Sequence, residues 1–178
     1  MATYRTHGTQ AVSGRSDLGW WLKHGVIGGI IAGVVFAMFE MIVAALMMGM
    51  DAFWMPMRMI GAIVLGQAAL DPSYSLVTAG LVGIVVHMML SIVYGVVLAA
   101  IVYYIPRLAS STAILLTAAS VFGLLLWLVN FYVIAPIAFP WFTQSSPVVQ
   151  FLAHTFFFGT ALGIYLNYQA SKRRQAQS

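Results

Sequence analysis

The sequence predicts an all-α polytopic membrane protein: a four-transmembrane-helix bundle with one short interfacial helix. Three observations predict it. Only 7% of the 178 residues are charged and 62% are hydrophobic, whereas a soluble domain carries about 25% charge. Apolar runs at about 23–49, 78–105, 111–135 and 148–168 each reach or exceed the roughly 20 residues a helix needs to cross a bilayer. The basic residues then sit at the ends of these runs rather than along them.

Residues 1–19 are polar and precede an apolar run too long for a cleavable signal, so the first run is expected to be a retained span. A long connection at 50–78 follows. Within it, Trp54 to Leu70 is apolar but interrupted by Pro56 and Arg58, which predicts a short helix lying at the interface or re-entering it. The second span ends at Pro106, and a tight turn leads to the third. The connection from Pro136 to Pro147 is uncharged. The fourth span is followed by a basic tail, 171–178, with Lys172, Arg173 and Arg174.

Arg5, Arg15, Lys23, Arg107, Lys172, Arg173 and Arg174 fall on one side of this plan and Arg58 alone on the other. Positive charge marks the cytoplasmic side. Both termini are therefore expected in the cytoplasm, and a bacterial inner membrane is the expected location. Trp20, Trp21, Tyr103, Tyr104, Tyr165 and Tyr168 mark the inner interface, and Trp54, Phe139, Trp141 and Phe142 the outer one. Bases confined to span ends suit anionic lipid rather than nucleic acid. His7 and His24 read as solvated. There is no cysteine, which excludes disulfides, thiolate metal sites and cysteine nucleophiles. P-loop, GxSxG, HExxH and dinucleotide signatures are absent, and Glu40 has no second acid beside it. The expectation is a protein that is not an enzyme.

Each span carries its strongest polar group at similar depth: Glu40, His87, Asn130 and His154. Counted from the outer helix ends, all four fall about 10–14 Å below the boundary. Polar groups in hydrocarbon are costly, so four at one level predict a shared, inward-facing cluster. Gly33 precedes Glu40 by seven residues and Gly123 precedes Asn130 by seven, and each half ends with a span carrying one histidine. This predicts a parallel two-helix repeat. The cluster admits three readings. The four groups can hydrogen-bond one another and fix the register of the bundle. His87 and His154, on different helices, could clamp a haem b iron from opposite faces. Glu40, coupled to the two histidines, could relay a proton.

Two further patterns stand out. Six methionines fall between Met47 and Met59. Among them, Met55, Met57 and Met59 are candidate soft ligands for copper(I), although methionine also serves as flexible apolar filler. Gly25, Gly29 and Gly33, and again Gly159 and Gly163, are spaced four apart. Such stripes let helices approach closely. They predict either docking onto another membrane protein or a second copy, or contact between the first and fourth spans.

Residues 87–95 read His-x3-Ser-x2-Tyr-Gly, with His87, Ser91, Tyr94 and Gly95. With the glycine-rich first helix, this segment resembles a pattern in small uncharacterised bacterial inner-membrane proteins. The resemblance covers about a quarter of the chain and implies a four-span inner-membrane protein without supplying an activity. The expected role is a non-catalytic membrane subunit or scaffold, in contact with lipid and with other membrane subunits or itself. The alternatives are a haem-b electron-transfer subunit using His87 and His154, and a small proton-linked transporter using Glu40.

Overall fold

The computed structural model describes residues 17–176. The tail 1–16, with Arg5, His7 and Arg15, and residues 177–178 lie outside the described residues. Five helices carry the fold: α1 (Leu18–Met48), α2 (Met55–Leu65), α3 (Leu76–Tyr104), α4 (Thr112–Ala138) and α5 (Pro147–Gln175). There is no strand among the described residues. All but α2 are long and apolar enough to span a bilayer, so the chain is an all-α four-span bundle.

Local chemistry sets most of the helix ends. The Asp17 carboxylate accepts from the Gly19 amide at 2.9 Å, which starts α1 five residues earlier than the hydropathy suggests. Ser75, Ser111 and Ser146 cap α3, α4 and α5 by accepting from the amides of Thr78, Ile114 and Val149. Gly49 and Gly66 end α1 and α2 at φ 93° and 81°, a region where a Cβ would be strained. Two helices overrun their expected limits. α4 passes through Pro136 because the turn before it, Asn130–Ile134, is widened to π-helical form, and such a turn absorbs the clash of a proline ring. α5 continues to Gln175, carrying the three basic residues expected in a tail. Its end is held by Arg173 stacked over Trp20, 4.8 Å from the ring centroid, and by Arg174, which donates to the Ala109 carbonyl at 3.2 Å.

The bundle is two helical hairpins joined at one face. In the first, α1 packs antiparallel on α3 with backbones in contact. A Cβ on Gly29 would run into the Ser91 carbonyl, and one on Gly95 into the Gly25 carbonyl. In the second, Gly123 meets the His154 carbonyl, Gly159 meets the Ala119 carbonyl and Gly163 meets the Ala119 side chain. The glycine stripes thus pack inside the chain, each within its own hairpin. Gly25, Gly29 and Gly33 lie on the second span rather than on the fourth, and all five glycines are buried. A different residue, Gly28, meets the fourth span through Leu162 and Tyr165.

The hairpins repeat each other. Gly29 faces Ser91 and Ile92; Ala119, ninety positions after Gly29, faces Gly159, sixty-seven positions after Ile92. The same two offsets relate Glu40 to Asn130 and His87 to His154. Both hairpins run in the same direction, the geometry of a parallel repeat.

The first hairpin has an addition. The small-residue stripe of α3 continues past α1 to Gly83 and Ala79, and α2 packs there, with the Met57 backbone against Gly83 and Gly61 against Ala79. Arg58 anchors α2 to the next turn, donating to the carbonyls of Asp71 at 2.9 Å and Tyr74 at 3.1 Å. That turn is closed by Asp71, which accepts from the Ser73 hydroxyl and amide; these bonds, with Arg58 nearby, hold its carboxyl below the usual range. Arg58→Ala is expected to speed proteinase K cleavage between residues 66 and 75 several-fold, with the long spans still protected.

The half of the bundle nearer the termini is filled. Trp21, Leu98, Val102, Leu115, Leu162 and Leu166 are buried there in one apolar cluster. His24, expected to be solvated, is instead half-buried between Trp20 and Tyr165 and shares a hydrogen bond with the Tyr165 hydroxyl at 2.9 Å. The half nearer α2 is different.

Candidate ligand cavity

At the α2 end the four spans part and leave a cavity of about 810 Å³. Its walls come from α1, α3, α4 and α5, and it is closed on one side by α2 and the connection at 139–146. Phe158 and Leu126 add apolar lining from α5 and α4, and Gln67, Gln144 and Ser145 stand among its lining residues from the connections.

All four polar groups singled out from the sequence line this cavity. They lie eight, eleven, eight and seven residues from the α2-end termini of their helices. At 1.5 Å rise per residue those depths are about 12, 16, 12 and 10 Å. The spread is about one helical turn, with His87 the farthest from its helix end.

The groups share the space but do not bond to one another. Glu40 Oε2 accepts from Gln150 Nε2 at 3.0 Å. His87 Nε2 donates to the Gly33 carbonyl at 2.8 Å, and His154 Nδ1 donates to the Gln150 carbonyl one turn before it at 2.9 Å. Because both partners are carbonyls, each imidazole carries its proton on that nitrogen, and the other nitrogen is the one available to a ligand. Tyr94 donates to Asn130 Oδ1 at 3.3 Å, bridging α3 and α4. The Phe36 ring packs on both imidazoles, with centroids 5.3 Å from His87 and 4.8 Å from His154.

Three buried side-chain atoms lack a hydrogen-bond partner among the described residues, Glu40 Oε1, Thr155 Oγ1 and Arg173 Nη1, and of these residues Glu40 alone lines the cavity. Glu40 is 7% exposed, and its second oxygen, Oε1, has no hydrogen-bond partner among the described residues. A buried carboxyl oxygen without a partner is costly, by about 1–3 kcal/mol or more, and native interiors rarely leave one.

The three candidate copper ligands are split by helical geometry. Met55 and Met59, one turn apart, line the cavity; Met57 points away and is fully buried under α3. Met47 and Met48 at the end of α1 face the cavity in its place. Among the described residues no three or more His, Asp or Glu gather as a metal site.

Three features of the cavity carry little signal in the sequence. Gln150 was visible one turn before His154, but nothing marked it as the partner of Glu40. Phe36 resembles any core aromatic. The π-helical stretches Asn130–Ile134 and Ala153–Thr160 carry no composition signal, yet they contain Asn130 and His154 and re-aim both. Widened turns of this kind often mark functional sites.

No family model, curated protein or solved structure matches the chain.

Proposed function

We propose that this protein is a non-catalytic membrane protein that binds a small amphiphilic ligand inside its helical bundle. The observation that carries the reading is Glu40: a buried acid in the wall of an 810 Å³ cavity, with one carboxyl oxygen that has no partner among the described residues. A bundle evolved only to pack would fill that volume and satisfy that atom. A mostly apolar pocket with a few convergent polar groups has the character of a ligand site. A pure scaffold is the weaker reading, because the glycine faces that would dock a partner are used within the chain.

The terminal half is filled by the apolar cluster, so the ligand enters from the α2 end. The positive-inside rule puts that end outside a bacterial inner membrane and both termini in the cytoplasm. Lack of native cysteine makes the topology directly testable. In intact cells, a thiol at Ala68→Cys is expected to react with an impermeant maleimide, and one at Ser110→Cys to react only after lysis.

The test of binding is native mass spectrometry of protein purified in mild detergent, with an absorption spectrum alongside. Wild type is expected to carry a bound small molecule that is lost in Ala44→Trp, which fills the cavity. Bare protein in both cases would contradict the reading. A Soret band lost in His87→Ala and His154→Ala would identify the ligand as haem b and replace it.

A further inference from the structure

We infer that the cavity selects a lipophilic organic cation, an amine or quaternary ammonium bearing apolar groups, with Glu40 as its counter-ion. This rests on the ligand-binding reading above and adds the charge of the ligand.

Three independent features of the cavity point the same way. The first is the unpartnered Glu40 Oε1. Glu40 is the sole carboxylate among the lining residues, and it is set about 12 Å deep by the helical rise. Gln150 occupies only the other oxygen, so the carboxyl is held in place with one oxygen still unpaired. A donor or cation from outside the chain would complete the set.

The second is aromatic. Phe36, Tyr94, Phe131, Trp141 and Phe142 all line the same space. Ring faces attract cations, more strongly when water is excluded, and an aromatic lining suits ammonium groups too large for a single hydrogen bond. Phe131 is itself packed on His154, at 5.4 Å between centroids, which places it beside one of the polar lining groups.

The third is the disposition of competing positive charge. The titratable groups facing the cavity besides Glu40 are His87, His154, Tyr94 and Arg58. Each imidazole donates a single N–H to a carbonyl and can meet a ligand through its bare nitrogen. Arg58 has both terminal nitrogens engaged on the carbonyls of Asp71 and Tyr74, and Glu40 is hydrogen-bonded instead to Gln150. The chain therefore supplies an acid in the cavity wall and no bonded counter-ion for it.

The test uses two probes of one shape and opposite charge, tetraphenylphosphonium and tetraphenylborate, titrated into detergent-purified full-length protein and read by tryptophan fluorescence and calorimetry. Wild type is expected to bind the phosphonium, and to prefer it over the borate about tenfold or more. Glu40→Gln keeps the shape and a partner for Gln150, and is expected to erase that preference. Arg107→Gln, which removes a positive charge from the turn between α3 and α4 at the other end of the bundle, is expected to keep it. Repetition in nanodiscs separates sources: competition by phosphatidylcholine but not phosphatidylglycerol would mean that a lipid headgroup supplies the cation. Equal or tighter binding of the borate, or a Glu40→Gln protein that still prefers the phosphonium, would overturn the inference while leaving a binding cavity. Binding of neither probe, with no copurifying ligand, would overturn both readings.

Discussion

Gly95→Leu is expected to abolish the folded monomer in mild detergent, leaving aggregate on size-exclusion chromatography. The reason is the closeness of α1 and α3. A Cβ at position 95 would meet the Gly25 carbonyl and lie 2.8 Å from Gly29 Cα and 2.9 Å from Gly29 N. The obstacle is backbone, so no rotamer change relieves it and the helices must separate. Separation would strip the contacts at Gly29 and Gly33 as well, and in lipid such contacts are the main force joining helices. The cost is expected to reach or exceed the upper end of the about 1–3 kcal/mol typical of overpacked cores. Gly80→Ala is the control on the same helix. Its nearest neighbour, Trp54, lies 3.6 Å from the added carbon, an ordinary contact. That change is expected to be neutral or to stabilise by up to about 1 kcal/mol through helix propensity.

The second large effect is a gain of stability with loss of function. Replacing both Glu40 and Gln150 by leucine removes a buried carboxyl whose second oxygen has no partner, together with the amide that holds the first. Exchanging both members of a buried polar pair for apolar groups can be neutral or stabilising, whereas removing one leaves the other stranded at about 1–3 kcal/mol. The double variant is therefore expected to melt about 2–6 °C above wild type in detergent without ligand. It is also expected to lose the copurifying ligand. Gln150→Leu alone is expected to melt below wild type, because both carboxyl oxygens are then unpaired. If the double variant melts below wild type and retains ligand, Glu40 is a packing residue and not a binding one.

Much of this architecture was legible because lipid simplifies the code. Long apolar runs with few charges admit one secondary structure, and the polar residues that interrupt them must face inward. That reasoning places Glu40, His87, Asn130 and His154 together, and the structure puts all four on one cavity. Their partners were less legible. A glycine stripe identifies a face and not the helix it meets, so Gly25, Gly29 and Gly33 could not be assigned to α3 rather than α5. Hydropathy does not see a π-helical turn, and so the passage of α4 through Pro136 was hidden. The alternation of Met55, Met57 and Met59 does follow from helical spacing once α2 is known to be a helix, and the buried member is then Met57. Least visible was the cavity itself, because a sequence names groups and does not name the space left between them.

The central claim is that a cavity open at the α2 end reaches down between the spans to the level of Glu40. Thiol reactivity measures it directly. Ala44 lines the cavity and Ala119 is buried in the apolar half; each can be made the single cysteine of the chain. A small charged thiosulfonate added to the α2 side is expected to modify Ala44→Cys quickly and Ala119→Cys hardly at all, with a bound cation slowing the first reaction. An inert thiol at position 44, or equal rates at the two positions, would contradict the account.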